Sequence, residues 1–310
     1  MNNDNLRFVR KYRITIIDQN NIALDVSDLR CTFRVEYLGY QYQNFAEISI
    51  YNLSSKTQVD IIKSGLRLVL EAGYKNGQFG KIFDGNIYQP IWDRENIVDY
   101  KLTLLCFDGD SQLNLNFVNM AVQVNHDSRN DLLAIMKNAR YPFENGGITE
   151  NIDTTEMPRG KVYFGMPKKY FREIANANNA QWSYTNGKLI VSNLTNIPQT
   201  EALVISPDNG LIGTPQQTQD GVELKTLLNP ALRVQYPPMQ IKLDNSIVRQ
   251  AKLQFGQLQT RLDQDGFYYV ASVVHYGDTR GDEWYTDIVG FNSTGSGLVS
   301  LYNNNRQFLN

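Results

Sequence analysis

Hydrophobic and polar residues alternate in short runs along the first third of the chain, and that period of two predicts β-strands. Phe8, Tyr12, Ile14 and Ile16 share one parity over residues 6–17. Cys31, Phe33, Val35 and Tyr37 alternate with Thr32, Arg34 and Glu36, as in an antiparallel strand with one buried face. Over 46–53, Ile48 and Ile50 oppose Glu47, Ser49 and Tyr51. The pattern then breaks. Ser54 or Ser55 is placed to cap a short helix with an expected apolar face of Val59, Ile62 and Leu66. A strand over 66–73 and a tight turn at Asn76-Gly77 lead into two long arms. Together these elements predict a β barrel or sandwich over residues 1–115.

The middle of the chain, 116–200, shifts to a helical period. Ser128 to Asp131 is the expected cap for a helix carrying Leu132, Leu133, Ile135, Met136 and Ala139, ended by Tyr141-Pro142. A loop rich in Gly, Thr and Asn is expected over 145–160. Pro167 then opens a helix with Tyr170, Phe171, Ile174 and Ala175 spaced by three and four. A hairpin about Asn186-Gly187 follows, with Trp182, Tyr184, Leu189 and Val191 expected to be buried beneath that helix. Residues 196–221, rich in Pro, Gly, Gln and Thr, read as a linker with one short strand at 203–205. From Val222 the strand pattern resumes, over 222–228, 231–234, 240–243 and 248–255, and defines a second β domain over 201–291. The tail 292–310 is expected to be mobile unless a neighbouring subunit holds it.

The two β domains share one recognisable unit. Near the end of the first, Phe83 leads through a Gly-containing arm to Trp92, a polar loop follows, and Tyr100 begins a return arm that ends at Phe107. Near the end of the second, Tyr268 leads to His275, a charged loop carries Arg280, and Trp284 begins a return arm that ends at Phe291. An aromatic residue starts each return arm and a Phe closes it. The fold class predicted is therefore β-rich α+β: two related β domains with a small α/β insert between them.

Composition narrows the function classes. A net charge of −2 over 310 residues argues against nucleic acid as the main partner, because phosphate binding shows as a basic excess. The two cysteines, Cys31 and Cys106, lie inside strand patterns and read as small buried hydrophobes, with a disulfide as the alternative. The polar start lacks a signal peptide's apolar stretch, and no run approaches the ~18 apolar residues of a membrane span. Synthesis in the cytosol is the expectation.

Candidate chemistry is thin. His126-Asp127-Ser128 holds the residue types of a hydrolase triad, but consecutive residues rarely converge on one atom, and Ser128 is better used as a helix cap. His275 has no nucleophile motif beside it. The loop 278–283 offers three carboxylates, yet Arg280 among them opposes a divalent cation, so an internal contact between Arg280 and a carboxylate is expected instead. Gly73, Gly77 and Gly80 do not match a nucleotide-binding spacing. No catalytic, cofactor-binding or metal residue is assigned, and no cofactor is expected.

The order β domain, α/β insert, β domain closed by His275-Tyr-Gly-Asp-Thr-Arg-Gly-Asp-Glu-Trp-Tyr-Thr-Asp287 resembles the baseplate hub proteins of bacteriophage tails, the T-even type among them, and of related contractile injection particles. Leu53-Ser-Ser-Lys-Thr57, Leu70-Glu-Ala-Gly-Tyr74, Ile82-Phe-Asp-Gly85, Gly210-Leu-Ile-Gly-Thr-Pro215 and Leu228-Asn-Pro230 carry the same resemblance. It implies a structural virion protein and no enzyme. Three copies would form a ring of six similar β units, a homotrimer adapting a sixfold tail tube protein to a threefold central spike protein among other baseplate proteins. DNA would pass through its channel without being gripped. The two hairpins, with Phe83, Trp92, Tyr100, Phe107, Tyr268, His275, Arg280, Trp284 and Phe291, are the expected ring-forming elements. Two other readings remain: a tail tube or distal tail ring protein, and a cell-wall glycan-binding or glycan-degrading tail protein using Trp92, Trp182 and Trp284 as sugar platforms.

Overall fold

The computed structural model describes residues 9–37, 43–150, 152–193, 201–218, 221–234, 238–250, 262 and 265–292. Phe8, the far end of the strand expected over 248–255, and the tail beyond Asn292 lie outside the described residues.

The first β unit contains β1 (Arg10–Asp18), β2 (Ala23–Asp25), β3 (Cys31–Tyr37), β4 (Phe45–Tyr51), helix α1 (Ser55–Ser64), β5 (Gly65–Tyr74), β6 (Phe79–Arg94) and β7 (Tyr100–Phe107). The alternation in β3 is obeyed: Cys31, Phe33, Val35 and Tyr37 are buried, while Arg34 is exposed. Ser54 caps α1 through a bond from the Thr57 N–H. The helix does not bury the expected face, however. Ile61 packs inward, whereas Val59, Ile62 and Leu66 are exposed, so the helix is rotated away from the face its sequence marks. The turn between β5 and β6 is also wider than a two-residue one, closing with the Tyr74 N–H on the Gln78 carbonyl at 3.0 Å.

Helix α2 (Asp110–Leu113) leads into the insert, which contains β8 (Val118–Val122), α3 (Ser128–Asn138), β9 (Glu144–Ile148), β10 (Lys161–Gly165), α4 (Pro167–Ala177), β11 (Ala180–Thr185) and β12 (Lys188–Asn193). Asn186 and Gly187 both take positive φ, as a two-residue hairpin turn requires. Trp182, Tyr184, Leu189 and Val191 are buried with Phe171 and Ile174 of α4 in a core of their own. Asp127, rather than Ser128, caps α3, by accepting from the Asn130 N–H at 2.7 Å. The helix stops at Asn138, before Tyr141-Pro142. Residues 145–160 are not all loop, since β9 pairs in parallel with β12.

The second β unit contains β13 (Ala202–Ile205), β14 (Leu211–Gln217), β15 (Gly221–Leu227), β16 (Gln240–Leu243), β17 (Arg249–Gln250), β18 (Phe267–Asp278) and β19 (Trp284–Asn292). The expected linker thus contains a second strand, β14, while the strand expected over 231–234 is irregular chain.

The two units repeat one another. The first runs β3-β4-β7-β6-β5-β1 across its sheet, and the second runs β14-β15-β19-β18-β16-β13. Their last pairs differ, β1 with β5 being antiparallel and β13 with β16 parallel. The repeat is exact in the closing hairpins. Asn86 faces Phe107 as Tyr269 faces Phe291, and Arg94 faces Tyr100 as Gly277 faces Trp284. Each hairpin slips register at the same place, between Ile87 and Gln89 in one and between Val270 and Ser272 in the other. A bulge in the same position of both copies is a designed bend rather than an accident.

One continuous sheet of fourteen strands joins the units, because β18 pairs with β3 over Val273–Asp278 and Thr32–Tyr37. Ile48, Leu68 and Leu70 of one unit and Val222, Ile241 and Tyr268 of the other belong to a single buried core. Cys31 and Cys106 are free and buried, and burial pushes the Cys31 thiol up to about 12.

Candidate assembly interface

The distal half of each hairpin extends past its own unit. β5 covers the edge of β6 only as far as Asn86, and β16 covers β18 only from Phe267 to Tyr269. What happens beyond those points separates the copies. On β18 the freed edge is taken by β3, an internal junction with six residue pairs. On β6 the freed edge, from Ile87 to Arg94, has no strand against it among the described residues.

The internal junction is densely built. Trp284 packs edge-on against Phe33 at 5.3 Å and Tyr12 at 6.3 Å. His275 lies edge-on to Tyr37, 6.1 Å away, and is sealed at 1% exposure. Its Nε2 faces the Leu232 carbonyl at 3.1 Å and its Nδ1 the Thr286 hydroxyl at 2.8 Å. Only an N–H can satisfy the carbonyl, so Nε2 donates and Nδ1 accepts from the hydroxyl. Burial lowers the His275 pKa to about 4, only partly offset by the carbonyl. Gly277 is required by close approach, since a Cβ there would stand 2.6 Å from the Trp284 ring and 2.7 Å from that of Phe33.

Arginines of the first unit hold the loop of the second. Arg30 reaches Asp278 through Nη2 at 2.7 Å and Nε at 3.3 Å. Burial raises the Asp278 pKa, but Arg30 and the backbone N–H groups of Arg280 and Gly281 outweigh it and hold the carboxyl below its usual range. Arg10 donates to the carbonyls of Asp278, Gly281 and Asp282. Arg280 does not make the expected carboxylate contact; its guanidinium donates to the Asp28 carbonyl at 3.2 Å. Arg30, 248 residues away in sequence, has taken that partner.

Of the residues singled out from sequence, Phe83, Tyr268, His275, Trp284 and Phe291 are buried within the chain. Phe107 is half-buried against Phe45 and Tyr88. Trp92 and Tyr100 are 55% and 39% exposed and stack on each other at 5.6 Å, with the Arg94 guanidinium over Tyr100. Trp182 and Trp284 are buried in different cores, so the three tryptophans form no common sugar platform. Sequence reasoning missed Arg10 and Arg30, whose roles come from distant parts of the chain, and the edge of β6 beyond Asn86, which no strand covers among the described residues. Superposing the two repeats by their bulges would have found Trp92 opposite His275.

The other face of the sheet is polar and crosses the junction unbroken. Cross-strand partners place Glu47, Arg34, Tyr276 and Tyr285 in one row and Glu36, Val274, Asp287 and Lys225 in the next. Acidic and basic side chains alternate there, with Arg34 on Glu36 at 2.5 Å and Lys225 near Asp287 at 3.8 Å. The remaining sequence candidates sit in structural roles. His126 bonds Asp131 at 2.7 Å and the Arg159 carbonyl at 3.0 Å, clipping α3 to the chain before β10. Among the described residues no His, Cys, Asp and Glu cluster has metal-site geometry, and no helix is long and apolar enough to cross a membrane.

No protein-family model matches the chain. No curated protein matches by sequence. Solved structures do match in fold. The 43 kDa tail protein of prophage MuSo2 from Shewanella oneidensis superposes with a TM-score of 0.58 at 8% identity, over 92% of this chain and 99% of that one. A tail protein from Neisseria meningitidis gives 0.55 at 8% identity, over 92% and 97%. A component of the Escherichia coli type VI secretion system, described as similar to T4 bacteriophage tail proteins, gives 0.53 at 7% identity, over 91% and 76%. The chain therefore shares the predominantly β fold of these tail and secretion-system proteins.

Proposed function

We propose that the protein is the hub of a tail baseplate: three copies form a ring that joins a sixfold tube to a threefold spike, with DNA passing through its centre. It would act as a structural part of the virion rather than as an enzyme. The division proposed with it is a first tube-like unit (1–115), an insert (116–200), a second tube-like unit (201–291) and a tail (292–310).

One observation carries the reading. Two β units with the same strand order and the same bulge are joined edge to edge in one chain. A duplicated unit lets one chain offer two near-equivalent surfaces to two neighbouring tube subunits while keeping threefold symmetry below. The polar face, with acidic and basic residues interleaved, suits a wall along which DNA moves without being held, because no basic excess accumulates on it. Class averages of the purified protein by electron microscopy test this. A threefold particle with six peripheral lobes and a central opening is expected; an elongated particle without an opening contradicts it.

A further inference from the structure

We propose that the outer edge of β8, at Asn119 and Ala121, takes up an extended segment of a partner polypeptide as a third strand, running antiparallel to β8 with acidic residues at its carboxyl end. The site lies on the insert, and the inference stands apart from ring formation.

The two-stranded sheet of β8 and β10 is closed at one edge and open at the other. On β10, the Tyr170 hydroxyl accepts from the Phe164 N–H at 2.9 Å and donates to the Phe164 carbonyl at 2.8 Å, so both groups point away from β8 and are satisfied. Phe164 faces Asn119 and Val162 faces Ala121, and opposed residues of an antiparallel pair exchange either both bonds or neither. The N–H and carbonyl groups of Asn119 and Ala121 are therefore turned outward as well. Phe117, two residues earlier, agrees: the Arg140 N–H takes its carbonyl from outside at 2.9 Å. Past that point no strand lies against this side of β8 among the described residues, and Asn119 and Ala121 are exposed.

The edge lacks the guards that natural sheets use. From Phe117 to Val124 the chain has no charged residue and no proline. An uncharged open strand is a template for pairing, and a sheet of two strands gains stability from a third. The face beside it is apolar. Phe117, Val162 and Phe164 are exposed there, the two Phe rings meeting edge-on at 4.8 Å, while Tyr163 on the opposite face is sealed in the core of the insert. Large apolar side chains at alternate positions of an added strand would extend that face.

Charge selects the occupant. The stretch from Leu132 to Phe143 carries Lys137 and Arg140 and no carboxylate. Neither cation forms an ion pair among the described residues. Arg140 sits in line with the open edge, where a strand antiparallel to β8 would arrive with its carboxyl end. The β8 of a second copy has no carboxylate to offer, and a lipid surface has no backbone groups at strand spacing.

The test is a short synthetic peptide of alternating Val and Thr with Glu at its carboxyl end, titrated into the full-length protein, with residue-resolved amide hydrogen exchange on the complex. Saturable binding is expected, with the Asn119 and Ala121 amides slowed and the Met120 amide, which faces β10, unchanged. Ala121→Pro removes one outward N–H without touching a bond to β10, and should weaken binding about tenfold while the denaturant midpoint holds. Exchanging the peptide's Glu for Lys should also weaken binding, and Arg140→Glu should reverse that preference. No saturable binding, or binding that leaves Asn119 and Ala121 exchanging as before, overturns the proposal. Binding of phosphatidylglycerol vesicles in place of the peptide would assign the face to a membrane, and a molar mass that falls in Ala121→Pro would assign the edge to a second copy. Either result overturns it too.

Discussion

Trp92 and His275 hold the same position in two hairpins of matched register, yet one is 55% exposed and the other is sealed at 1%. The difference lies in what covers them. β3, with Phe33, Val35 and Tyr37, closes over His275, and no described strand lies against the edge of β6 at Trp92.

Replacing Trp92 by Ser should therefore separate folding from assembly. The side chain contributes little to the isolated chain, so the unfolding free energy is expected to change by about 0.5 kcal/mol or less. Association should weaken at least tenfold, as for loss of an aromatic anchor at the centre of an interface. Urea unfolding and concentration-dependent light scattering measure the two effects separately.

Gly277→Ala should damage the internal junction. The added methyl would press on the Trp284 and Phe33 rings at once, and overpacking of this kind costs about 1–3 kcal/mol. Denaturant midpoints compared with the parent check this. Near-UV dichroism should report a changed Trp284 environment.

His275 makes stability depend on acid. Its folded pKa, near 4, lies below the ordinary 6.5, so the unfolded chain binds the proton more tightly. The contribution is complete above pH 6.5 and is lost as pH falls toward 4. Its full size is on the order of 3 kcal/mol, at about 1.4 kcal/mol for each unit of pKa. His275→Gln keeps a donor for the Leu232 carbonyl and should flatten this slope in unfolding experiments at pH 7 and pH 5.

Asp108 works in the opposite sense. Burial at the contact between the first unit and the insert raises its pKa to about 7, against the bonds it accepts from the Asn186 N–H and the Asn44 amide. The folded chain then holds the proton more tightly than the unfolded one. Stability from this group is complete below pH 3.8 and is lost as pH rises through 7. Asp108→Asn, which can still accept both bonds, is expected to stabilise the protein above pH 7 by about 2–4 kcal/mol. It should have no such effect near pH 4.

Much of this fold was legible in sequence because alternation in one-sided strands is imposed by burial, as β3 and most of β19 show, while β4, β7 and β18 are buried on both faces over part of their length. The paired hairpins were legible too, since aromatic residues at both ends of each return arm mark the same register. β14 was not, because Gly213-Thr214-Pro215 breaks its alternation with a bulge and reads as linker. The face of α1 was misjudged for a different reason: Val59, Ile62 and Leu66 look like a core stripe, but the exit into β5 turns Ile61 inward instead. The candidate interface was only half visible. Trp92 and Tyr100 stood out as aromatic residues, but their exposure depends on which edges the rest of the chain covers. Arg10 and Arg30 were out of reach, because their partners lie in a loop more than 240 residues downstream.

The central claim is that this chain closes into a ring of three, and molar mass in solution is its most direct test. Light scattering over a range of concentrations should give about 106 kDa, three chains of 35.5 kDa each. A sixfold mass would instead indicate a tube or distal ring protein. A strict 35.5 kDa monomer at every concentration would contradict the account.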